Sequence, residues 1–146
     1  MDREAFAGYV RSQGWGVVAS LGDDGGPQAA FLAVAATGAG ELVFDARSTS
    51  RKVANLARDP RVAVTIGGTD GTTLQCEGRA DVPAGADRDR CAAAYAAAFP
   101  QFAASLADEG IVLLRVVPTW ARYGDFRDGR SDTTEVDVSG WGPAGA

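Results

Sequence analysis

Short apolar segments, separated by turn-forming residues, recur along the chain. Within them, hydrophobic residues either alternate with polar ones or run together, and Gly, Asp or Pro residues stand between the segments. This pattern is typical of β-strands joined by tight turns, and the short connections favour antiparallel pairing. It predicts six strands, at residues 15–21, 29–37, 41–46, 61–67, 73–82 and 111–126. We expect the first three to form an antiparallel meander, and Gly78 in the fifth predicts a bulge.

A second pattern, with apolar residues three or four positions apart, predicts helices between the strands. Helices are expected at residues 3–12 and 86–99, with a shorter helical stretch at 102–108. A further short helix begins after a run of hydroxyl residues and ends at Asp59-Pro60, because the residue before a proline disfavours helical geometry. Six strands in hairpin order with helices at the corners predict a mostly-β α+β fold, a small antiparallel barrel with α elements.

The length and charge of the chain bound its class. Its 146 residues suit one domain, which we assign to residues 1–130, followed by a Gly-rich C-terminal tail at 131–146. The net charge of −5, without any basic block, argues against nucleic-acid and anionic-membrane partners. No apolar run reaches the roughly 18 residues of a membrane span. The N-terminus lacks the pattern of a signal peptide, so we expect a cytoplasmic protein.

The chain contains no histidine, which removes the commonest metal ligand and the commonest general base. We therefore predict no metal site and assign no catalytic side chain. If the chain is an enzyme, we expect a bound cofactor to provide the chemistry. The two cysteines, Cys76 and Cys91, lie in a predicted strand and a predicted helix. We expect both to be buried thiols rather than a disulfide.

Cationic and hydroxyl residues cluster at the start of the short helix before Asp59. They are Arg47, Ser48, Thr49, Ser50, Arg51 and Lys52, and Lys52 is the only lysine in the chain. A helix N-terminus attracts anions because its first backbone N–H groups are unpaired. Two interpretations stay open at this point: a phosphate-binding site, or a solvated helix start at which the hydroxyls only cap the helix.

The order and spacing of the residues in this region resemble those of a known family. The matching steps are Ser50-Arg51-Lys52, Asn55-Leu56 and Asp59-Pro60-Arg61-Val62, after the strand-like segment "ELVFDA". With its flanking strands, the chain resembles the pyridoxamine 5′-phosphate oxidase-like family of FMN-binding split β-barrel flavoproteins over residues 5–127. The resemblance implies a six-stranded antiparallel split β-barrel with flanking helices, in which residues 1–130 form the FMN-binding domain.

The resemblance also implies a set of cofactor contacts. Arg51 and Lys52 would bind the FMN phosphate, with support from the hydroxyl of Ser50. The other implied contacts are Ala30, Phe31 and Leu32 along the flavin ring, Asp45 and Ala46 near the ring or the ribityl chain, Thr73 or Gln75 in place of a family glutamine, and Trp120 from the partner subunit. Because the family builds this pocket between two subunits, a homodimer with the cofactor site at its interface is implied.

The chain departs from the true oxidase at positions that matter for the substrate. Ala35 and Asp45-Ala46 stand where the oxidase has a lysine and a Tyr-Thr pair, so pyridoxamine phosphate is not the expected substrate. The resemblance implies instead an FMN-dependent oxidoreductase that moves a hydride to or from the flavin ring and acts on an unidentified small molecule. Three alternatives stay open: a reductase that uses the deazaflavin coenzyme F-420, a non-catalytic flavin-binding or sensing protein, and a cofactor-free relative.

Overall fold

The computed structural model describes residues 1–143, which form one curled antiparallel sheet with helices around it. None of the helices in this part of the chain combines the length and the apolar character needed to cross a bilayer. The elements lie close to the predicted bounds. In chain order they are α1 (Arg3–Gln13), β1 (Trp15–Leu21), β2 (Pro27–Ala33), β3 (Ala35–Ala36), β4 (Leu42–Arg47), α2 (Arg51–Arg58), β5 (Arg61–Gly67), β6 (Thr72–Asp81), α3 (Gly85–Ala98), a 3₁₀ helix (Pro100–Ala107), β7 (Ile111–Asp125), a second 3₁₀ helix (Arg127–Gly129) and β8 (Asp132–Val136).

The two edge strands of the sheet, β2 and β3, are consecutive in the chain, and this connection closes the sheet into a barrel. The strands follow the order β2-β1-β5-β6-β7-β4-β3, and β8 pairs with β7. Residues 29–37, predicted as one strand, bend at Val34, whose N–H donates to the carbonyl of Gly14 at 3.0 Å. Before the bend the chain pairs with β1, and after it the chain pairs with β4. The sheet therefore curls into the expected antiparallel split barrel, and the α+β fold class is confirmed. With β2 and β3 counted as one strand, it has the six predicted strands and a seventh, β8, that the sequence did not predict.

The expected meander is right for β1 and β2 and wrong for most of the third predicted strand. β4 contacts the end of the second predicted strand only through the two residues of β3. Its full length, from Leu42 to Arg47, pairs with β7. The reason is the bend at Val34, after which too little extended chain remains to pair with all of β4. β7 is 15 residues long and reaches β6, β4 and β8.

Alternate residues of the strands face the barrel interior and form the main core. Val62, Val64 and Ile66 of β5 are buried, while the residues between them are exposed. Phe6 of α1 joins the same core. A second, smaller core that includes Cys91 lies between α3 and residues of β4 and β7. The period of two along the strands thus decides which side chains are inside the barrel.

The pairing of β6 with β7 contains the bulge that the sequence predicts. The register slips between Glu77 and Gly78, so that Thr119 is the extra residue in β7. A Cβ atom on Gly78 would lie 2.5 Å from the carbonyl oxygen of Val117. Glycine is needed at this position because the two backbones approach too closely for any side chain.

A buried carboxylate ties α3 to the barrel. Glu41, just before β4, is 0% exposed and accepts hydrogen bonds from Arg90 at 2.7 Å and from Arg115 at 3.2 Å. Arg115 also donates to Asp81 at 2.6 Å and to Asp87 at 3.0 Å. These partners offset the desolvation of Glu41, which would otherwise be a strongly unfavourable buried charge.

Part of the Gly-rich tail contributes to the fold. β8 extends the sheet beside β7, and the ring of Trp141 packs edge-on against Phe6 with centroids 4.9 Å apart. Residues 144–146 of the tail lie outside the described residues.

Candidate functional site

Helix α2 begins at Arg51 and places its first turn beside the β1–β2 hairpin. Ser50 is its N-cap residue and has extended backbone geometry, with φ −72° and ψ 152°. Leu56 is buried in the barrel core and Val53 packs against it, which sets the orientation of the helix. The helix ends at Asp59, as predicted from the proline that follows.

The hydroxyl of Ser50 does not cap the helix. Its Oγ atom is buried, but it makes no hydrogen bond to the first turn or to any other group within residues 1–143. The first turn of α2 also contains no acidic side chain. Buried polar atoms are rarely left without partners, and an uncapped helix N-terminus retains unpaired donors. These facts favour the anion-site interpretation over the solvated, capped helix start.

A cavity of about 100 Å³ opens at this N-terminus, between α2 and the β1–β2 hairpin. Arg51 and Lys52 line it from the helix. The strands contribute Val18, Ser20, Gln28, Ala29 and Ala30. Among residues 1–143, neither Arg51 nor Lys52 has an ion-pair partner. Both cations are therefore available to a ligand.

Two other arginines near α2, Arg58 and Arg61, already have partners, whereas Arg47 has no ion pair within residues 1–143 but does not line the cavity. Arg61 contacts Asp59 with an Nη2–Oδ2 distance of 2.7 Å, and its hydrogen bonds hold the pKa of Asp59 at about 2, below the usual 3.8. Arg58 donates from Nη2 to the carbonyl of Leu21 and to Oδ1 of Asn55, both at 3.0 Å. The positive charge at the cavity therefore comes from the two residues that line it.

A buried amide connects α2 to the strands that line the cavity. Asn55 is 4% exposed and donates from Nδ2 to Oγ of Ser20 at 3.0 Å and to Oε1 of Gln28 at 2.9 Å. Ser20 and Gln28 lie directly opposite each other in the β1–β2 pair. The three side chains hold the helix and both strands in one arrangement around the cavity.

Ser20, Gln28 and Asn55 are functional candidates that the sequence patterns did not single out. A signal was present, because Ser20 and Gln28 occupy the less exposed positions of strands whose similarly placed neighbours are mostly apolar. A polar side chain at such a position needs a buried hydrogen-bond partner. The sequence alone did not identify Asn55 as that partner.

The structure brings three of the predicted site residues together at the cavity, and a fourth is next to them in the chain. Ala30, Arg51 and Lys52 line it, and Ser50 directly precedes Arg51. Leu32 lies further along β2 and packs against the barrel core.

Three further predicted residues lie apart from the cavity. Phe31 is on the outer face of β2 and stacks on Trp15 with ring centroids 5.5 Å apart. Ala46 is part of the barrel core. Asp45 faces the other way and accepts a hydrogen bond from the Ser105 hydroxyl at 2.8 Å.

Thr73, Gln75 and Trp120 form a separate group on β6 and β7. Gln75 lies opposite Arg122 in the β6–β7 pair, and the guanidinium of Arg122 stands 5.2 Å from the ring centroid of Trp120. Thr73 is on the same face of β6 as Gln75, because alternate residues of a strand share a face. None of the three lines the cavity at α2.

The cavity and its lining suit a phosphate group. Its volume is about 100 Å³ and it opens to solvent. Arg51 can bind two phosphate oxygens at once and Lys52 adds a point charge, while the helix N–H groups and the adjacent Ser50 offer further donors. The donors at this cavity thus fit the phosphate of FMN. A larger open cavity of about 540 Å³ adjoins it at Ser20.

Fold and site together define the class of the chain. It is a split β-barrel protein with an uncapped, cationic helix N-terminus beside its first hairpin. The family model described as pyridoxamine 5′-phosphate oxidase matches residues 2–124. The chain belongs to this family. No curated protein matches the chain in sequence.

Solved bacterial structures share the fold. A haem-binding protein from Mycobacterium smegmatis is 22% identical with a TM-score of 0.76, over 92% of this chain and 58% of its own. A protein of the pyridoxinephosphate oxidase family from Clostridium acetobutylicum is 14% identical with a TM-score of 0.67, over 94% and 98%. A haem storage protein from Vibrio cholerae is 15% identical with a TM-score of 0.67, over 81% and 91%. At these identities the likeness shows the fold alone, and the chain spans little more than half of the mycobacterial protein.

Proposed function

We propose that the chain is an FMN-binding oxidoreductase of its family and holds the cofactor phosphate at the N-terminus of α2. The proposal rests on one observation: the buried, unpartnered hydroxyl of Ser50 stands next to Arg51 and Lys52, which line a cavity that suits a phosphate group. Membership of the family supports the same assignment.

The chain's own part would be to bind and orient the cofactor. Arg51 and Lys52 would hold the phosphate oxygens, with Ser50 as an additional donor. The bound flavin would supply the hydride chemistry at its ring. The substrate would be a small molecule other than pyridoxamine phosphate, because Ala35, which stands where the oxidase has a lysine, is fully buried in the core beside α3.

The proposal includes a homodimer with the cofactor at its interface. The residues that line the phosphate cavity include no aromatic side chain, so the flavin ring needs another surface to cover it. The group formed by Thr73, Gln75 and Trp120 lies on β6 and β7, away from the cavity. Both observations support a pocket completed by a second subunit, which would bring Trp120 to the cofactor across the interface.

Two of the structural neighbours are described as haem-binding or haem storage proteins, so haem is the ligand to compare with FMN. This chain has no histidine, the residue that most often ligates haem iron. Both cysteines are buried, as predicted, and burial raises the pKa of Cys76 to about 12 and of Cys91 to about 11. Neither thiol is exposed at the surface of the described residues. The side chains available therefore support flavin over haem.

Titration with FMN and with riboflavin, followed by quenching of flavin fluorescence, tests the proposal. The two ligands differ only in the terminal phosphate, so the ratio of their dissociation constants reports on the phosphate site. We expect FMN to bind on the order of 100-fold more tightly than riboflavin, about 2.8 kcal/mol. Arg51→Ala and Lys52→Ala should each reduce this preference by about tenfold or more, because each removes a charge-assisted hydrogen bond.

Arg11→Ala is the matched control for these titrations. It removes the same charge from an exposed residue of α1 that does not line the cavity, and it should keep the full preference for FMN. Equal affinity for FMN and riboflavin would contradict the phosphate site. Retention of coenzyme F-420 or of haemin instead of FMN would assign the site to that ligand.

A second measurement separates an oxidoreductase from a carrier or sensor. For an enzyme we expect NADH or NADPH to bleach the visible absorption of the bound flavin, and oxygen to restore it. Flavin that stays bound through a desalting column but does not cycle with these reagents would identify a non-catalytic flavin-binding protein.

A further inference from the structure

We infer that Ser20 is a further binding residue of this anion site, and that Asn55 and Arg58 direct its hydroxyl proton into the cavity. The inference rests on the proposed phosphate site and deepens it, because it assigns a donor on the strand side of the cavity. Ser20 is 5% exposed and lines the cavity opposite Arg51 and Lys52.

The direction of each hydrogen bond in the network follows from Arg58. A guanidinium group has only donors, so the Asn55 atom that lies 3.0 Å from Nη2 of Arg58 is the carbonyl oxygen Oδ1. The amide nitrogen of Asn55 then faces the strands. It donates to Oγ of Ser20 at 3.0 Å and to Oε1 of Gln28 at 2.9 Å. Both N–H donors and one acceptor position of the Asn55 amide are thereby used.

The hydroxyl proton of Ser20 is left without an acceptor. Its Oγ already accepts from Asn55, so the O–H bond is directed away from the amide. Within residues 1–143, the Ser20 side chain makes no hydrogen bond other than this one to Asn55. A buried hydroxyl normally donates to a partner, and Ser20 lines the cavity in which an acceptor from a ligand would stand.

The site therefore presents donors from both sides. Arg51 and Lys52 point to the cavity from the helix, and Ser20 donates from the strand, while its accepting lone pair is engaged by Asn55. A phosphate group has only acceptor oxygens when ionised and is satisfied by such a ring of donors. A ligand that ends in a hydroxyl group also needs an acceptor for its proton. The network thus gives the cavity selectivity for a terminal phosphate over a terminal alcohol.

Ser20→Ala tests the inference with the FMN and riboflavin titrations. We expect the preference for FMN to fall by about tenfold, as for loss of a hydrogen bond to a charged group, with riboflavin affinity unchanged. The dissociation constant of inorganic phosphate, obtained by competition with FMN, should also be higher in Ser20→Ala than in the unaltered chain. That result would place the effect at the phosphate. Ser12→Ala is the matched control, since it removes a hydroxyl that donates to the Tyr9 carbonyl in α1, and it should keep the full preference.

Asn55 and Arg58 are positioning residues, and a double-mutant cycle separates their role from simple support of the fold. We expect Asn55→Ala to lower the FMN preference a few-fold in the unaltered chain and to have no further effect in the Ser20→Ala background. Arg58→Ala gives the same test from an exposed position, with Arg11→Ala as the control for lost charge. Thermal unfolding of every variant identifies any change in stability. Effects that add independently overturn the positioning role.

The outcomes distinguish this inference from the proposed function. An unaltered chain that binds FMN and riboflavin equally contradicts the phosphate site itself. An unaltered chain that prefers FMN, together with a Ser20→Ala variant that keeps the full preference, overturns the role of Ser20 and leaves the proposed function intact.

Discussion

The rings of Trp15 and Phe31 stack on the outer face of the β1–β2 hairpin, with centroids 5.5 Å apart and an interplanar angle of 19°. Phe31 is 70% exposed, and Val17 beside it is exposed as well. Contiguous exposed aromatic surface on a small domain is typical of an interface. The opposite side of the same hairpin lines the phosphate cavity, so the proposed interface and the proposed phosphate site lie on the two faces of one hairpin.

We expect Phe31→Ser to weaken the proposed dimer by roughly 30-fold, because a central aromatic contact contributes about 2 kcal/mol to an interface. Light scattering over a dilution series measures the shift from dimer to monomer. Val82→Ser removes an exposed apolar side chain elsewhere on the surface and should leave the dimer unchanged. An unaltered chain that is monomeric at every concentration would contradict the shared pocket.

Arg115→Ala should destabilise the fold far more than the loss of an exposed ion pair. We expect the free energy of unfolding to fall by about 3–5 kcal/mol, because the buried carboxylate of Glu41 loses one of its cations. Arg61→Ala breaks an exposed pair with Asp59 and should lower it by less than about 1 kcal/mol. Urea unfolding followed by tryptophan fluorescence gives both values. Equal losses would refute a special role for the Glu41 network.

Gly78→Ala and Gly8→Ala should change stability in opposite directions. At Gly78 the added methyl group would meet the Val117 carbonyl oxygen at 2.5 Å, so we expect a loss of about 1–3 kcal/mol. Gly8 lies inside α1 with nothing within 4 Å of an added Cβ, and we expect a gain of about 0.5–1 kcal/mol. Thermal unfolding measures the change in stability of both variants. A change of the same sign in the two would contradict this prediction.

The two thiols should react only after the protein unfolds. Burial raises the pKa of Cys76 to about 12 and of Cys91 to about 11, from an ordinary value of 9.0. Because the folded protein retains these protons more strongly, the stabilisation linked to them is complete below pH 9 and is lost as the pH rises through 11 and 12.

A thiol reagent followed by mass spectrometry checks this prediction. Below pH 9 we expect no labelling of the native protein and labelling of both cysteines in denaturant. Rapid native labelling of Cys76 would show that its side chain is accessible and that its pKa is not raised.

The strands and helices could be predicted because each of them follows a local rule. A strand that buries one face must alternate, and a turn needs residues that tolerate its backbone geometry. The bend at Val34 follows no such rule. The apolar run at 29–37 looks the same whether it pairs with one neighbour or two, and the bond from Val34 to Gly14 forms only when distant parts of the chain meet.

The same limit applies to the candidate site. Arg51 and Lys52 are adjacent to the helix start, so the local sequence was enough to single them out. Asn55 meets Ser20 and Gln28 across 35 and 27 residues of chain. Those contacts depend on the register between α2 and the first hairpin, which no local pattern specifies.

The bend at Val34 also leaves one edge of β2 without a neighbouring strand, which determines how a ligand or subunit could bind there. Within residues 1–143, β2 pairs with β1 alone, so main-chain N–H and C=O groups along its other edge have no strand beside them. A ligand or subunit laid along this edge would meet groups that are identical for every residue type except proline. The small side chains of Ala29 and Ala30 leave that main chain open to approach, so binding there would require small residues at these positions but no particular functional group.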